Sequence, residues 1–129
     1  MRQTPARPLL LASVIAGIEG LVFFVLMGIA IWVAVTGSSF GPADISNGTA
    51  VTLEIIIFAG LSAGMCVTAY GMFGARRWAR APFILMQLIA VGVGYNFWGA
   101  AVAPVILGLG IVGFVIALLP ATTRALLED

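Results

Sequence analysis

From Pro8 to about Thr36 the chain is apolar at nearly every position, and Glu19 is the one ionisable residue in the run. As an α-helix the run reaches roughly 43 Å, longer than the ~30 Å hydrocarbon core of a bilayer. A helix that is hydrophobic all round has no wet face, so it must lie inside a large protein or inside a membrane. A chain of 129 residues is too short to bury it in a soluble core, because small domains leave much of their surface in water. The composition agrees, at 62% hydrophobic and 9% charged. An ordinary soluble domain is roughly 45–50% apolar and about 25% charged. Disorder is excluded by the same figures, since it needs low hydrophobicity and high net charge. The excess helix length implies tilt or projection beyond one face. A secretory signal peptide, with Arg2 and Arg7 as its basic region, is the competing reading. Cleaved apolar regions are only about 7–15 residues long, so an uncleaved first span is preferred.

Three further spans follow. Residues 37–49 read GSSFGPADISNGT, a Gly, Ser, Pro, Asp and Asn cluster typical of a solvated loop. The second span is expected over 50–73, a basic loop over 74–81, and the third span over 82–98, with Pro82 in its first turn. A tight connection at 99–103 leads to the fourth span over 104–119, and the tail from Pro120 is short and polar enough to lie at a surface. The expected fold is therefore all-α, a bundle of four transmembrane helices in one domain. With four spans, Arg2, Arg7, Arg76, Arg77, Arg80 and Arg124 all fall on one side, and the opposite loops carry only Asp44. The positive-inside rule then places both termini in the cytoplasm. Trp32 and Trp98 near one interface and Trp78 near the other fit an aromatic belt.

The same counts narrow the chemistry. Net charge is +1, there is no histidine, and Cys66 is the single cysteine. No basic face for nucleic acid is present, nor a thiolate or imidazole set for a metal. No cofactor is indicated, and a hydrolase or metalloenzyme is not expected.

Glu19 is the most informative residue. It lies roughly 15 Å into the first span, near mid-bilayer. A charge there costs about 2.5–3.5 kcal/mol on insertion scales, which the surrounding Leu, Ile, Val and Phe residues offset. Two readings stand: a proton- or cation-coupled site, or a neutral carboxylic acid hydrogen-bonded to a neighbouring helix. Gln87, about two turns into the third span, reaches Glu19 if helices one and three are adjacent. Glu54, Tyr95 and Asn96 lie near the outer surface, as a polar cluster or as separately solvated groups.

Sixteen glycines carry a packing signal. Gly60 and Gly64 form a GxxxG, and Gly71 continues its stripe; Ala12, Ala16 and Gly20 make a small-residue face beside Glu19. Internal packing and a partner's helix are both open to these faces. Gly108, Gly110 and Gly113 match a dinucleotide-binding GxGxxG, but inside an apolar span with no preceding strand. Asn47 opens a glycosylation sequon that matters only in a eukaryotic secretory pathway. Arg76, Arg77 and Arg80 act as topology determinants and could hold anionic headgroups.

The start of helix three (Trp78–Pro82), Gln87 within it and the tail Pro120–Leu126 together resemble small four-helix integral membrane proteins of actinobacteria. The similarity covers roughly the C-terminal 45% of the chain. It implies a bacterial plasma membrane and supplies no catalytic residue. A second resemblance is to small multidrug-resistance transporters, which also have four short helices and a glutamate in the first. Here the first external loop is longer and their aromatic pattern around the glutamate is missing, and architecture alone does not assign function.

The leading expectation is a non-enzymatic accessory or interaction subunit in the bilayer, with a membrane-protein partner or a second copy of itself. The alternative is a small proton-coupled transporter or channel using Glu19. An enzyme ranks third, conceivable only as a lipid-modifying activity at Glu54 and Asn96.

Overall fold

The computed structural model describes residues 6–37 and 48–127. It contains α1 (Arg7–Thr36), α2 (Gly48–Phe73), a 3-10 turn (Arg77–Ala79), α3 (Arg80–Asn96), α4 (Ala103–Leu118) and α5 (Pro120–Leu127), with no strand among the described residues. Asp44, Asn47 and most of the expected outer loop lie outside the described residues, as do Arg2 and the last two residues.

Local chemistry sets the helix ends. Pro8 occupies the first turn of α1, where its missing N–H leaves no bond unmade. Gly37 closes α1 in the left-handed conformation, φ 65°, and its N–H bonds the Val33 carbonyl. At the end of α2, Arg76 N–H reaches Gly71 O (2.9 Å) and Ala75 N–H reaches Met72 O (3.1 Å). This is a Schellman closure, with Ala75 at φ 52° where glycine is usual. Leu119 is extended before Pro120, as the residue preceding a proline prefers, and α5 leaves α4 at a bend of 60°.

Three helices are long and apolar enough to cross a membrane: Arg7–Thr36, Val51–Phe73 and Arg77–Asn96, the last including the 3-10 turn. The expected fourth span differs. Residues of α4 alone fall short of the ~20 needed, so a fourth crossing requires α4 and α5 together as one bent span. The basic loop is also shorter than 74–81, because Arg77–Ala79 winds directly into α3. The tail is a helix that buries Thr122 and Leu126 and exposes Pro120, Ala121, Arg124 and Leu127.

The helices share one core. α1 packs against α2 and α4, and α3 packs against α4 and α2, so α1 and α3 stand at opposite corners. Buried positions recur at alternating spacings of three and four residues. On α4 they are Ala103, Ile106, Gly110, Gly113 and Ala117; on α1 the row Leu9, Ala12, Ala16, Glu19 and Phe23 follows the same spacing, widened by Ile15 and Gly20, with Ala30 further along. That average of 3.5 keeps one seam facing inward, as in left-handed coiled coils. The outward faces are equally apolar, with Leu21, Phe24, Ile56, Leu85 and Ile111 exposed. In a bilayer, whose lipid tails are as apolar as this core, such helices would be held by close packing and hydrogen bonds rather than by hydrophobic contrast.

Candidate functional site

The polar centre of the molecule forms where the seams of α1 and α3 carry their one polar residue each. Glu19 and Gln87 are 1% and 0% exposed. Gln87 Nε2 donates a 2.7 Å hydrogen bond to Glu19 Oε2. The bond runs across the diagonal of the helix ring, between helices that are not main packing neighbours. Small residues make that reach possible. A Cβ on Gly113 of α4 would lie 2.5 Å from Gln87 Oε1 and 2.6 Å from Gln87 Cδ, so any side chain there would push the amide from this position. Gly110 lies one turn away, where a Cβ would stand 2.9 Å from Val91 Cγ2. On the other flank a Cβ at Gly20 would meet Met65 Cβ at 3.2 Å, and Ser62 Oγ donates to Gly20 O at 2.9 Å. Two oxygens in this layer, Glu19 Oε1 and Gln87 Oε1, are buried without a hydrogen-bond partner among the described residues.

The expected packing glycines divide. Gly64 faces Met86, whose Cε would stand 2.6 Å from an added Cβ, and Gly71 faces Ala79 Cβ at the same distance. Ala16 is fully buried beside Gly20. Gly60 departs from the stripe: it is exposed, and a Cβ there would meet nothing within 4 Å. The GxxxG is thus not a single contact face within the chain. Its two glycines lie four residues apart, about 40° round the helix, and the seam turns Gly64 inward and Gly60 out. Conversely, Gly110 and Gly113, two glycines of the GxGxxG match, line the polar layer. Their spacing of three, matching the interior periodicity, was the available signal.

The outer polar residues do not assemble. Glu54 is half-buried, Tyr95 and Asn96 are exposed, and no hydrogen bond joins them among the described residues. Tyr95 and Trp98 line an open surface recess away from Glu19. At the other end the three arginines take distinct places. The Arg76 guanidinium lies 5.3 Å from the Tyr70 ring centroid, a cation–π contact. Arg77 donates to Leu126 O (3.3 Å) and Leu127 O (2.9 Å), holding the last carbonyls of α5. Arg80 opens α3, and its Nε is buried without a partner among the described residues. Thr122 Oγ1 donates to Ile116 O at 2.6 Å and braces the bend between α4 and α5.

Chemically, the centre can hold a proton, join α1 to α3, or both. No family model matches the chain, and neither a curated protein nor a solved structure matches it.

Proposed function

We propose that the chain is a multi-pass integral membrane protein of the bacterial plasma membrane, acting as a non-enzymatic accessory or helix–helix interaction subunit. In this reading α4 and α5 together make the fourth span of a four-helix transmembrane bundle. Both termini are cytoplasmic, on the side of Arg7, Arg76, Arg77, Arg80 and Arg124. The segments Trp78–Pro82 and Pro120–Leu126 support the kinship with actinobacterial four-helix proteins.

One observation carries the reading. The deep carboxylate is turned inward and bonded to Gln87, while the outward faces are apolar and keep small residues in open space, Gly60 among them. Polar groups serve the interior and leave the exterior for lipid and other helices. The bilayer covers these faces by default, and a partner helix approaches most closely where a side chain is lacking. The test is site-specific cross-linking from Gly60→Cys in a Cys66→Ala background, in native membranes. A discrete adduct that disappears in the crowded variant Ala63→Leu is the expected result. Lipid-like, partner-free behaviour at Gly60 and at matched positions on the other helices overturns it.

The alternative, a proton-coupled transporter or channel, draws on the unpartnered Glu19 Oε1, a free acceptor at mid-span. It needs a water path to a side chain that is 1% exposed. Under that reading Glu19→Gln abolishes proton-coupled flux in proteoliposomes while expression is retained.

A further inference from the structure

The Glu19–Gln87 layer is short of one hydrogen-bond donor. With Glu19 ionised, its two oxygens and the Gln87 carbonyl are three acceptors, and the amide N–H meets only Glu19 Oε2. Glu19 Oε1 and Gln87 Oε1 are left buried with nothing donating to them among the described residues. Nor, among the described residues, do the surrounding elements offer a free hydroxyl or amide donor. From α2, Ser62 Oγ is committed to Gly20 O, and Thr68 Oγ1 to the carbonyls of Gly64 and Met65. Cys66 is the one titratable group of α2 near this layer, its Sγ 3.4 Å from where a Gly20 Cβ would stand. From α4 the layer receives Gly110 and Gly113, which have no side chain. The nearest cations along the helices bearing the pair are distant, Arg80 about 10 Å up α3 and Arg7 about 18 Å along α1. Arg124 lies on α5, beyond the bend at the basic end. An ionised carboxylate here would sit in a buried, low-dielectric core with no counter-charge beside it among the described residues and a single neutral hydrogen bond.

We propose that the pair is a buried proton-binding site: Glu19 retains its proton in the folded protein and forms a neutral acid–amide pair with Gln87. The added O–H turns one unpartnered acceptor into the donor that the other lacks. Two side chains already in contact then close the two-bond ring that a carboxylic acid and a primary amide form. The proton is the one the carboxyl holds when it leaves water, so no other reactant is consumed. Gly113 is a positioning residue, because any side chain there would displace the amide. The inference rests on the membrane reading, whose own failure would appear separately, as protein that does not fractionate with membranes.

The test uses the full chain in lipid bilayers with glutamate labelled by 13C at the side-chain carboxyl. The sequence has three glutamates, Glu19, Glu54 and Glu128. Isotope-edited infrared spectra are taken near pH 8, well above the ordinary glutamate value of about 4.3. The expected spectrum holds one protonated-carboxyl C=O band that persists in Glu54→Gln and moves in Gln87→Leu as its hydrogen bond is lost. Glu19→Gln, which replaces the acid O–H by an amide N–H, removes the band. Carboxylate bands alone overturn the proposal, whether a trapped water or a bound cation then satisfies the oxygens. A protonated band that vanishes in Glu54→Gln overturns it equally.

Discussion

The two hairpins of this molecule are joined by different means. Between α1 and α2 side-chain hydroxyls reach across to carbonyls: Ser13 Oγ to Ala69 O and Ser62 Oγ to Gly20 O, each at 2.9 Å. Between α3 and α4 the seam relies on absent side chains. An added Cβ would meet Leu107 Cγ at 2.8 Å from Gly94, Val91 Cγ2 at 2.9 Å from Gly110, and the Gln87 amide from Gly113. The first hairpin thus gains hydrogen bonds that survive modest changes of volume. The second gains dispersion contact that no added carbon leaves intact. Since the exterior is as apolar as the interior, neither hairpin can rely on the hydrophobic effect to choose its partner face. The Glu19–Gln87 bond crosses between the two hairpins and ties one mode of packing to the other.

If that contrast is right, the glycine seam is the more brittle. Gly113→Leu should have the largest effect, destabilising by about 3 kcal/mol or more, because the new side chain overlaps the Gln87 amide and forces helices apart. Reversible unfolding in mixed micelles, followed by circular dichroism, measures it. Gln87→Leu comes next, at about 1–3 kcal/mol, since it removes the partner of a buried carboxyl. The double variant Glu19→Leu/Gln87→Leu should recover most of that loss, as replacing both partners by apolar groups is close to neutral. Failure of that recovery would mean the pair has a role beyond packing. Ser13→Ala and Ser62→Ala should each cost only about 0.6 kcal/mol, the scale of interhelical hydrogen bonds in a membrane. If either serine variant proves as damaging as Gly113→Leu, the distinction between the hairpins fails. Smallest of all, Gly60→Leu should leave the isolated chain's stability within about 0.5 kcal/mol, because its side chain enters open space.

Much of the helical layout is readable from residue order, and the reasons are local. Long apolar runs broken by Gly, Pro and charge announce helices, and α1 to α3 begin and end within a few residues of the expected spans. The α4–α5 bend is harder to see. Leu119–Pro120 marks a break, but whether the following turns continue the span or leave it depends on Thr122, Arg77 and the carbonyls they hold. The glycine stripe misleads for another reason. A motif of spacing four cannot say which of its members the 3.5-residue seam will keep, and Gly60 and Gly64 fall on either side of that line. Gly110 and Gly113 are hard to read for the opposite reason, because the motif they match belongs to a different fold.

By itself the sequence determined the solvent and the element type: its composition leaves the bilayer as the suitable medium, where backbone groups must bond within helices. It also singled out Glu19 as the costly group and Gln87 as a candidate partner. The inward faces were left to tertiary structure. On helices apolar all round, hydropathy has no contrast to report, and side-chain volume does the choosing. The meeting of Glu19 with Gln87 across the diagonal was decided there too, because Gly113 leaves the space that the Gln87 amide occupies as it reaches Glu19.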